Sequence, residues 1–321
     1  MSDFPKFVQI NEEGPREGFQ IESGPISTER KVELIDALSE TGLSQIQVVS
    51  FVNPVRVPGM ADANEVVERF KRKAGVRYTA LWLNDKGLKR ALSTGKLDIK
   101  GSVSLTASEK FLQKNQRRTL AENLAAQRAM MQLFKDNGVV VDRGSVMAAF
   151  GCNYQGEVPV DAVLEQVRSI FEIGSEHGYE IKVISLADTM GWATPAAVRR
   201  VVGALRDRYP EQRISLHLHD TRGMGIANAL AGLELGVDMY DATVGGLGGC
   251  PFAANRGAAG NVCTEDLAFM LHEMGIETGL DLERLIDAAL LAEDIVGHPL
   301  PGSVKTGGSL NVLRERIRAG S

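Results

Sequence analysis

The sequence predicts an α/β protein built as a closed (β/α)₈ barrel with an extra C-terminal helical segment. Short apolar runs that end in Gly, Pro or Asn alternate along the chain with amphipathic stretches of helical length. Eight such strand–helix units fit into about 280 residues, which matches one barrel better than an open doubly wound sheet, the structural alternative. We therefore predict a TIM-barrel catalytic domain over residues 1–279 and a C-terminal helical extension, packed on the barrel, over residues 280–321.

The predicted elements follow one another with short connections. The strands are predicted at 7–11, 45–51, 77–82, 99–105, 145–149, 181–186, 214–219 and 239–243. The helices after them are predicted at 28–41, 63–73, 86–93, 119–137, 161–177, 195–209, 226–235 and 265–274. In the extension, 281–296 has Leu, Ile and Ala on one face and predicts a helix, whereas the Gly- and Ser-rich stretch 304–309 predicts a loop or an arm. The apolar surface of the extension favours a homo-oligomer, most simply a dimer. An arm that packs on its own chain would have the same pattern.

Composition excludes several classes of protein. The chain has 321 residues, 44% of them hydrophobic, so it can bury a full core. Its net charge of −5, without a large basic block, argues against a nucleic-acid partner, and no apolar stretch approaches the ~20 residues of a membrane helix. Three cysteines argue against a disulfide framework, and the N-terminal residues lack the pattern of a targeting segment. We expect a cytoplasmic protein without nucleic-acid or membrane partners.

Two histidines mark the end of predicted strand seven. His217 and His219 are two residues apart, so they share one face of the strand, while Leu216 and Leu218 share the other. The leucines suit the surrounding helices, and the histidines should therefore face the barrel interior. Two imidazoles at this spacing can bind one metal ion; the alternative is a pair of hydrogen-bonded core histidines.

Charged and glycine-rich segments follow two further strands. After strand one, a Gly-Pro turn leads into Arg16 and Glu17, which suit a cation for an oxyanion and an anionic metal ligand, or else a surface ion pair. After strand eight, six glycines lie between residues 245 and 260, and Cys250 lies within this segment. A cysteine in such a loop is more typical of chemistry than of packing. Cys263 favours a structural role, and Cys152 also leans that way.

The barrel topology brings these segments together. Strands seven, eight and one are neighbours in a closed eight-stranded barrel, and active sites lie at the C-terminal ends of its strands. The predicted metal ligands are Glu17, His217, His219 and Asn261. A mixed N/O set favours Mg²⁺ or Mn²⁺, and Zn²⁺ remains possible.

Other strand ends supply further candidates for the site. Asp188, after strand six, either orients a substrate hydroxyl or a catalytic partner or caps a turn. Gln47 and Ser50 lie in strand two, and Gln20 follows strand one. Asn115 belongs to a polar stretch after strand four that we interpret as a loop lining the site. These four polar residues are predicted to contact substrate.

Together these motifs identify a family resemblance over nearly the whole chain. The sequence resembles hydroxymethylglutaryl-CoA lyase and its relatives among the metal-dependent barrel lyases and condensing enzymes. The matching motifs are Gly14-Pro15-Arg16-Glu17-Gly18, Ser50-Phe51-Val52-Asn53-Pro54, Ala187-Asp188-Thr189, His217-Leu218-His219-Asp220-Thr221, Gly245-Gly246-Leu247-Gly248-Gly249-Cys250-Pro251, Gly260-Asn261-Val262 and Thr264-Glu265-Asp266.

The resemblance implies a reaction and roles for the site residues. It implies retro-Claisen cleavage of a 3-hydroxyacyl-CoA to an acyl-CoA and a keto product, with a divalent metal bound by the four predicted ligands. Arg16 would stabilise the thioester enolate. Cys250, which belongs to the mobile loop, would transfer a proton. Asp188 would act as an acid/base or orient the hydroxyl.

Three positions depart from the family pattern. The family usually has Asp at the position of Glu17, Lys at Ser23 and Glu at Gln47. Glu17 keeps the charge but moves the carboxylate by one methylene. Gln47 removes a negative charge near Arg16, so that charge must be compensated elsewhere.

The predicted substrate and reaction leave alternatives open. Hydroxymethylglutaryl-CoA or a related 3-hydroxyacyl-CoA is the first candidate. A condensing enzyme or 2-oxo-acid aldolase would share the arginine, the metal and the enolate chemistry. A non-catalytic binding relative is the third possibility. Arg256, in a loop that is longer than the family's, either binds a substrate carboxylate or a CoA phosphate or is solvated.

Overall fold

A computed structural model describes residues 4–22, 24–249 and 260–320 and contains eight parallel strands in one curled sheet. The strands are β1 (Gln9–Glu12), β2 (Gln45–Ser50), β3 (Arg77–Leu81), β4 (Gly101–Thr106), β5 (Val141–Met147), β6 (Val183–Ala187), β7 (Arg213–His217) and β8 (Met239–Ala242). Their order is β3-β2-β1-β8-β7-β6-β5-β4, so the first and last strands are neighbours. The predicted TIM-barrel fold is confirmed.

Strand pairing aligns polar residues from three neighbouring strands. In the parallel register, Asn11 on β1 is opposite Asp241 on β8, and Asp241 is opposite His217 on β7. At the other side of the barrel, where β3 approaches the segment before β4, the backbone N–H of Asp98 donates to the Tyr78 carbonyl at 2.8 Å. On the side of the barrel where β1 and β8 are neighbours, the hydrogen-bonded strand pairing is therefore continuous beneath the predicted site.

Helices cover the outside of the sheet. They are α1 (Gly14–Ile21), α2 (Thr28–Ser39), α3 (Ala63–Arg69), α4 (Asp85–Ser93), α5 (Glu109–Gln116), α6 (Leu120–Asp136), α7 (Val160–Glu176), α8 (Pro195–Arg208), α9 (Gly225–Leu233), α10 (Thr264–Glu273), α11 (Leu282–Val296), α12 (Val304–Gly307) and α13 (Leu310–Ala319). All eight predicted barrel helices and the helix at 281–296 are present, within four residues at either end. No helix in the described part of the chain is long and apolar enough to cross a bilayer.

Four helices were not predicted, and two stretches predicted as loops contain helices. The Gly-Pro pair read as a turn begins α1, because proline is well tolerated in a helix's first turn. The polar stretch containing Asn115 is α5, which Ser108 caps by accepting from the Phe111 N–H at 3.2 Å. In the extension, most of 304–309 forms α12, and α13 follows it. Helix α12 has four residues, which span too few turns to show an apolar period.

The apolar core lies between the sheet and the helices. Leu216 and Leu218 are fully buried, as expected for the outward face of β7 and its extension. Helix α9 lies so close to β7 that a Cβ added to Gly232 would be 2.5 Å from Leu216 Cδ1. Helix packing against this face leaves the opposite face of the strand, with its histidines, for the barrel interior.

The C-terminal segments lie behind the turn that follows β8. Helix α11 packs against α2 and α10. Beyond it, Leu300 lies against Gly245, and the Gly302 N–H donates to the Gly245 carbonyl at 3.2 Å. Helix α13 contains no buried residue. The proposed division at residue 279 stays a prediction.

Candidate active site

A hydrogen bond to the backbone orients the side chain of His219. Its Nδ1 lies 2.6 Å from the Asp188 carbonyl oxygen, which can only accept, so Nδ1 carries the proton. The opposite nitrogen, Nε2, is buried and has no hydrogen-bond partner among the described residues. A buried imidazole nitrogen with a free lone pair, oriented by a backbone carbonyl, is the usual arrangement of a metal-binding histidine.

The other predicted ligands lie around this nitrogen. Glu17, on α1, places Oε1 3.6 Å from His219 Nε2 and 3.8 Å from His217 Nε2. Asn261 forms a backbone bridge with His219, and its buried Oδ1 has no partner in the described structure. Gly248 lies between Asn261 and Glu17. A Cβ added to Gly248 would be 2.9 Å from a side-chain atom of each of these two residues. Two orphaned buried atoms beside a carboxylate fit a divalent cation.

Asp241 orients His217 from the other side and was not predicted. Its Oδ2 lies 3.6 Å from His217 Nδ1 and accepts from Arg143 Nη2 at 2.7 Å, while Oδ1 accepts from Asn11 Nδ2 at 2.9 Å. Burial raises the pKa of the Asp241 carboxyl, but Arg143 and His217 outweigh burial and hold the pKa below its usual value. An ionised carboxylate at Nδ1 leaves Nε2 of His217 directed to Glu17. The sequence signal that could have revealed the role of Asp241 was that it is the single charged residue in β8.

Arg16 lies among polar partners at the same end of the barrel, with about 12% of its side chain exposed. Its Nε donates to Gln47 Oε1, and its Nη2 donates to Glu13 Oε2 and lies 3.0 Å from Glu17 Oε2. The predicted substrate residue Gln47 therefore contacts Arg16, and Glu13 supplies the compensating charge that the Gln47 departure required. Sequence reasoning did not single out Glu13. Beside them, Ser50 Oγ donates to Gln20 Oε1 at 3.1 Å.

Asp188 has one bonded and one unbonded carboxylate oxygen. Oδ1 accepts from the backbone N–H groups of Trp192 and Ala193 at 2.7 and 2.9 Å, which is the turn-capping arrangement. Oδ2 is buried without a hydrogen-bond partner in the described residues. Burial raises the pKa of this carboxyl. Oδ1 thus has the turn-capping role predicted from the sequence, and Oδ2 is free for the predicted catalytic role. That catalytic role stays a prediction.

Two buried carboxyls that were not predicted hold the turn leading to residue 250. Glu12 Oε1 accepts from the Val244 N–H at 2.9 Å, and Glu265 Oε2 accepts from the Gly245 N–H at 3.0 Å. Burial raises the pKa of Glu12 to about 8 and that of Glu265 to about 7. Gly245 has a φ of +66°, which disfavours any residue with a side chain. The turn is therefore specified by backbone geometry and two carboxyl groups.

The remaining predicted residues do not join this cluster in the described structure. Cys250 and Arg256, like Ser23, lie outside the described residues. Asn115 is exposed on α5. Next to α5, a cavity of about 900 Å³ is bordered by Thr106 at the end of β4, and Lys110 and Lys114 also line it. The cavity thus opens at the same end of the barrel as the histidines.

Fold and site together define an α/β-barrel enzyme with a carboxylate, imidazole and amide cluster at the C-terminal ends of its strands. The chain belongs to the HMGL-like family, whose model matches residues 7–291. This confirms the predicted resemblance and the predicted class, a carbon–carbon lyase.

Similar proteins of known function support the same assignment. Hydroxymethylglutaryl-CoA lyase YngG of Bacillus subtilis is 40% identical over 93% of this chain and 96% of its own. The crystal structure of the Bacillus subtilis HMG-CoA lyase has a TM-score of 0.87, at 39% identity, and covers 95% of this chain and 99% of that one. An HMG-CoA lyase from Acinetobacter baumannii, solved with coenzyme A and 3-methylmalate, has a TM-score of 0.85 at 36% identity, covering 96% and 97%.

Proposed function

We propose that this protein cleaves hydroxymethylglutaryl-CoA, or a closely related 3-hydroxyacyl-CoA, into an acyl-CoA and a keto product. The observation that carries the proposal is the convergence of Glu17, His219 Nε2 and Asn261 Oδ1 next to the largely shielded cation of Arg16. The names of the relatives support the substrate class, and the coenzyme A bound by the Acinetobacter baumannii enzyme supports a thioester.

The proposed roles follow from charge and position. Glu17, His217, His219 and Asn261 would hold Mg²⁺ or Mn²⁺, which would supply a Lewis acid beside the reacting oxygens. Arg16 would stabilise the negative charge of the thioester enolate, because a buried, preorganised cation needs little reorganisation when charge develops. The free Oδ2 of Asp188 would accept or orient the hydroxyl proton, and Cys250 would return a proton to the enolate carbon. Gln20 and Ser50 would contact the acyl group.

A panel of CoA thioesters tests the proposal. Purified protein with Mg²⁺ or Mn²⁺ should cleave at least one 3-hydroxyacyl-CoA, with an acyl-CoA and a keto acid as the products in mass spectrometry. Chelation should abolish the turnover. The absence of cleavage for every 3-hydroxyacyl-CoA would overturn the proposal, and consumption of acetyl-CoA with a 2-oxo acid would support the condensing alternative.

The cavity beside α5 is the proposed position of the coenzyme A moiety, with Asn115 and Arg256 as further contacts. Lys110 and Lys114 line the cavity and would face the phosphates. We expect the double variant Lys110→Ala/Lys114→Ala to raise KM for the thioester about fivefold to tenfold, since exposed ion pairs contribute up to about 1 kcal/mol each. The measurement is steady-state kinetics, with kcat unchanged because neither lysine lies at the reacting atoms.

Lys182→Ala is the matched control for these lysines. Lys182 is exposed and directly precedes β6, so it lies at the opposite end of the barrel. It should leave KM unchanged. An unaltered KM in the double variant would contradict the proposed position of coenzyme A.

We also propose a cytoplasmic location and a homodimer. The free thiols of Cys152 and Cys263 support a reducing compartment. The exposed side chains of Leu313 and Ile317 on α13 support a contact between subunits.

A further inference from the structure

Glu13 lies between Arg16 and the interior of the barrel. It is the residue before α1, and its side chain is almost fully buried. Glu13 Oε2 accepts from Arg16 Nη2 and lies 3.9 Å from His217 Nδ1. Its backbone is fixed as well, because its N–H donates to the Ala242 carbonyl of β8 at 2.9 Å and its carbonyl accepts from the Glu17 N–H at 2.8 Å. A carboxylate whose backbone is hydrogen-bonded to both β8 and α1 has little freedom to leave the arginine.

A single nitrogen of Arg16 is shared by two carboxylates. Nη2 donates to Glu13 Oε2 and also lies 3.0 Å from Glu17 Oε2. The two carboxylate oxygens of Glu17 also face different partners. Oε2 faces Arg16, and Oε1 faces the Nε2 atoms of His219 and His217 at 3.6 and 3.8 Å. The arginine therefore competes with the proposed cation for Glu17, and its other partners set the outcome of that competition.

The charges of this cluster show why Glu13 matters. Among the described residues, the carboxylates of Glu13, Glu17 and Asp241 face the guanidinium groups of Arg16 and Arg143. Gln47 also holds Arg16, but it is neutral. Without the charge of Glu13, Glu17 would be the one anionic partner of Arg16 in the described structure, and a buried arginine bonds most strongly to a carboxylate.

We propose that Glu13 is a positioning residue that competes with Glu17 for the Arg16 guanidinium and weakens their pairing, so that Glu17 stays available for a cation and Arg16 for an oxyanion. The inference rests on the proposed function, because it assumes that Glu17 binds a divalent ion. It assigns to residue 13 the balancing charge that Gln47 lacks. It also predicts that the position of this charge matters less than its presence beside Arg16.

A charge swap tests the inference. Glu13→Gln keeps the size of the side chain and removes the charge, and Glu13→Gln/Gln47→Glu returns a carboxylate to Arg16 from β2. Calorimetric titration with Mn²⁺, without substrate, measures the affinity of the cluster, and steady-state kinetics measures kcat. Glu33→Gln is the matched control, because Glu33 pairs with Arg30 on the exposed surface of α2.

We expect Glu13→Gln to weaken Mn²⁺ binding and to lower kcat by about tenfold each, within the range seen when residues that orient metal ligands are changed. The double variant should recover both values to within about twofold. A loss of packing alone would not be rescued by a charge on another strand. Glu33→Gln should match the wild type.

Other outcomes have defined meanings. If the wild type binds Mn²⁺ and Glu13→Gln binds it equally well with equal kcat, the inference is wrong. It is also wrong if both variants fold, by their thermal transitions, and the double variant recovers neither value. If Glu13→Gln does not fold, the double variant alone decides: wild-type affinity and kcat support the inference, and loss of either overturns it. A wild type that binds no Mn²⁺ and cleaves no thioester overturns the proposed function, and the inference with it.

Discussion

Arg16→Gln is expected to lower kcat for thioester cleavage by roughly 10²–10³-fold, the usual effect of removing one preorganised donor from a developing oxyanion. The guanidinium is largely shielded from solvent, and Gln47 and Glu13 hold it in place, so it is oriented before substrate binds. Mn²⁺ affinity should not weaken, because the substitution removes a cation that lies 3.0 Å from Glu17 Oε2. Steady-state kinetics and calorimetry on the same preparation measure the two quantities.

Two further variants limit the interpretation of this result. Arg16→Lys should remain well below wild-type activity, because a lysine cannot donate to Gln47 and Glu13 with the planar fork of a guanidinium. Arg72→Gln, which removes an exposed arginine paired with Asp98, should have wild-type kcat. An Arg16→Gln enzyme with near-normal kcat would show that the enolate is stabilised by other groups.

His219→Ala is expected to weaken Mn²⁺ binding by about 100-fold or more, since it removes a nitrogen ligand whose orientation is already fixed. The substitution also removes the shorter of two hydrogen bonds to the Asp188 carbonyl, which keeps the one from the Gly191 N–H at 3.3 Å, and this loss should destabilise the fold by about 0.5–1.5 kcal/mol. The thermal transition should therefore fall even without metal, and added Mn²⁺ should raise it less than in the wild type. Calorimetry and thermal melts with and without Mn²⁺ measure these effects.

His177→Ala is the matched control for the histidine. His177 follows α7, its Nδ1 contacts the Ile173 carbonyl, and it lies at the opposite end of the barrel from His219. It should bind Mn²⁺ as the wild type does. Undiminished binding in His219→Ala would remove this residue from the ligand set.

Much of the fold of this protein can be predicted from short-range sequence patterns. The alternation of strands and helices determined the barrel, and its topology predicted that strands one, seven and eight meet. The two-residue period of a strand placed His217 and His219 on one face and Leu216 and Leu218 on the other, where the leucines are fully buried. These features follow from backbone geometry, which repeats over a few residues and is therefore visible locally.

The tertiary structure alone decided which groups surround the site residues. Asn11 and Asp241 are 230 residues apart and hydrogen-bonded, and Glu12 contacts the Val244 N–H over 232 residues. Nothing local distinguishes Glu13 from an exposed glutamate in the run Glu12-Glu13, although its burial against Arg16 gives it a special role. The charge and proton position of a buried group depend on neighbours that folding brings together. The sequence alone thus determined the barrel and its candidate ligands, whereas the structure decided which carboxylate balances Arg16 and which nitrogen of His219 is free.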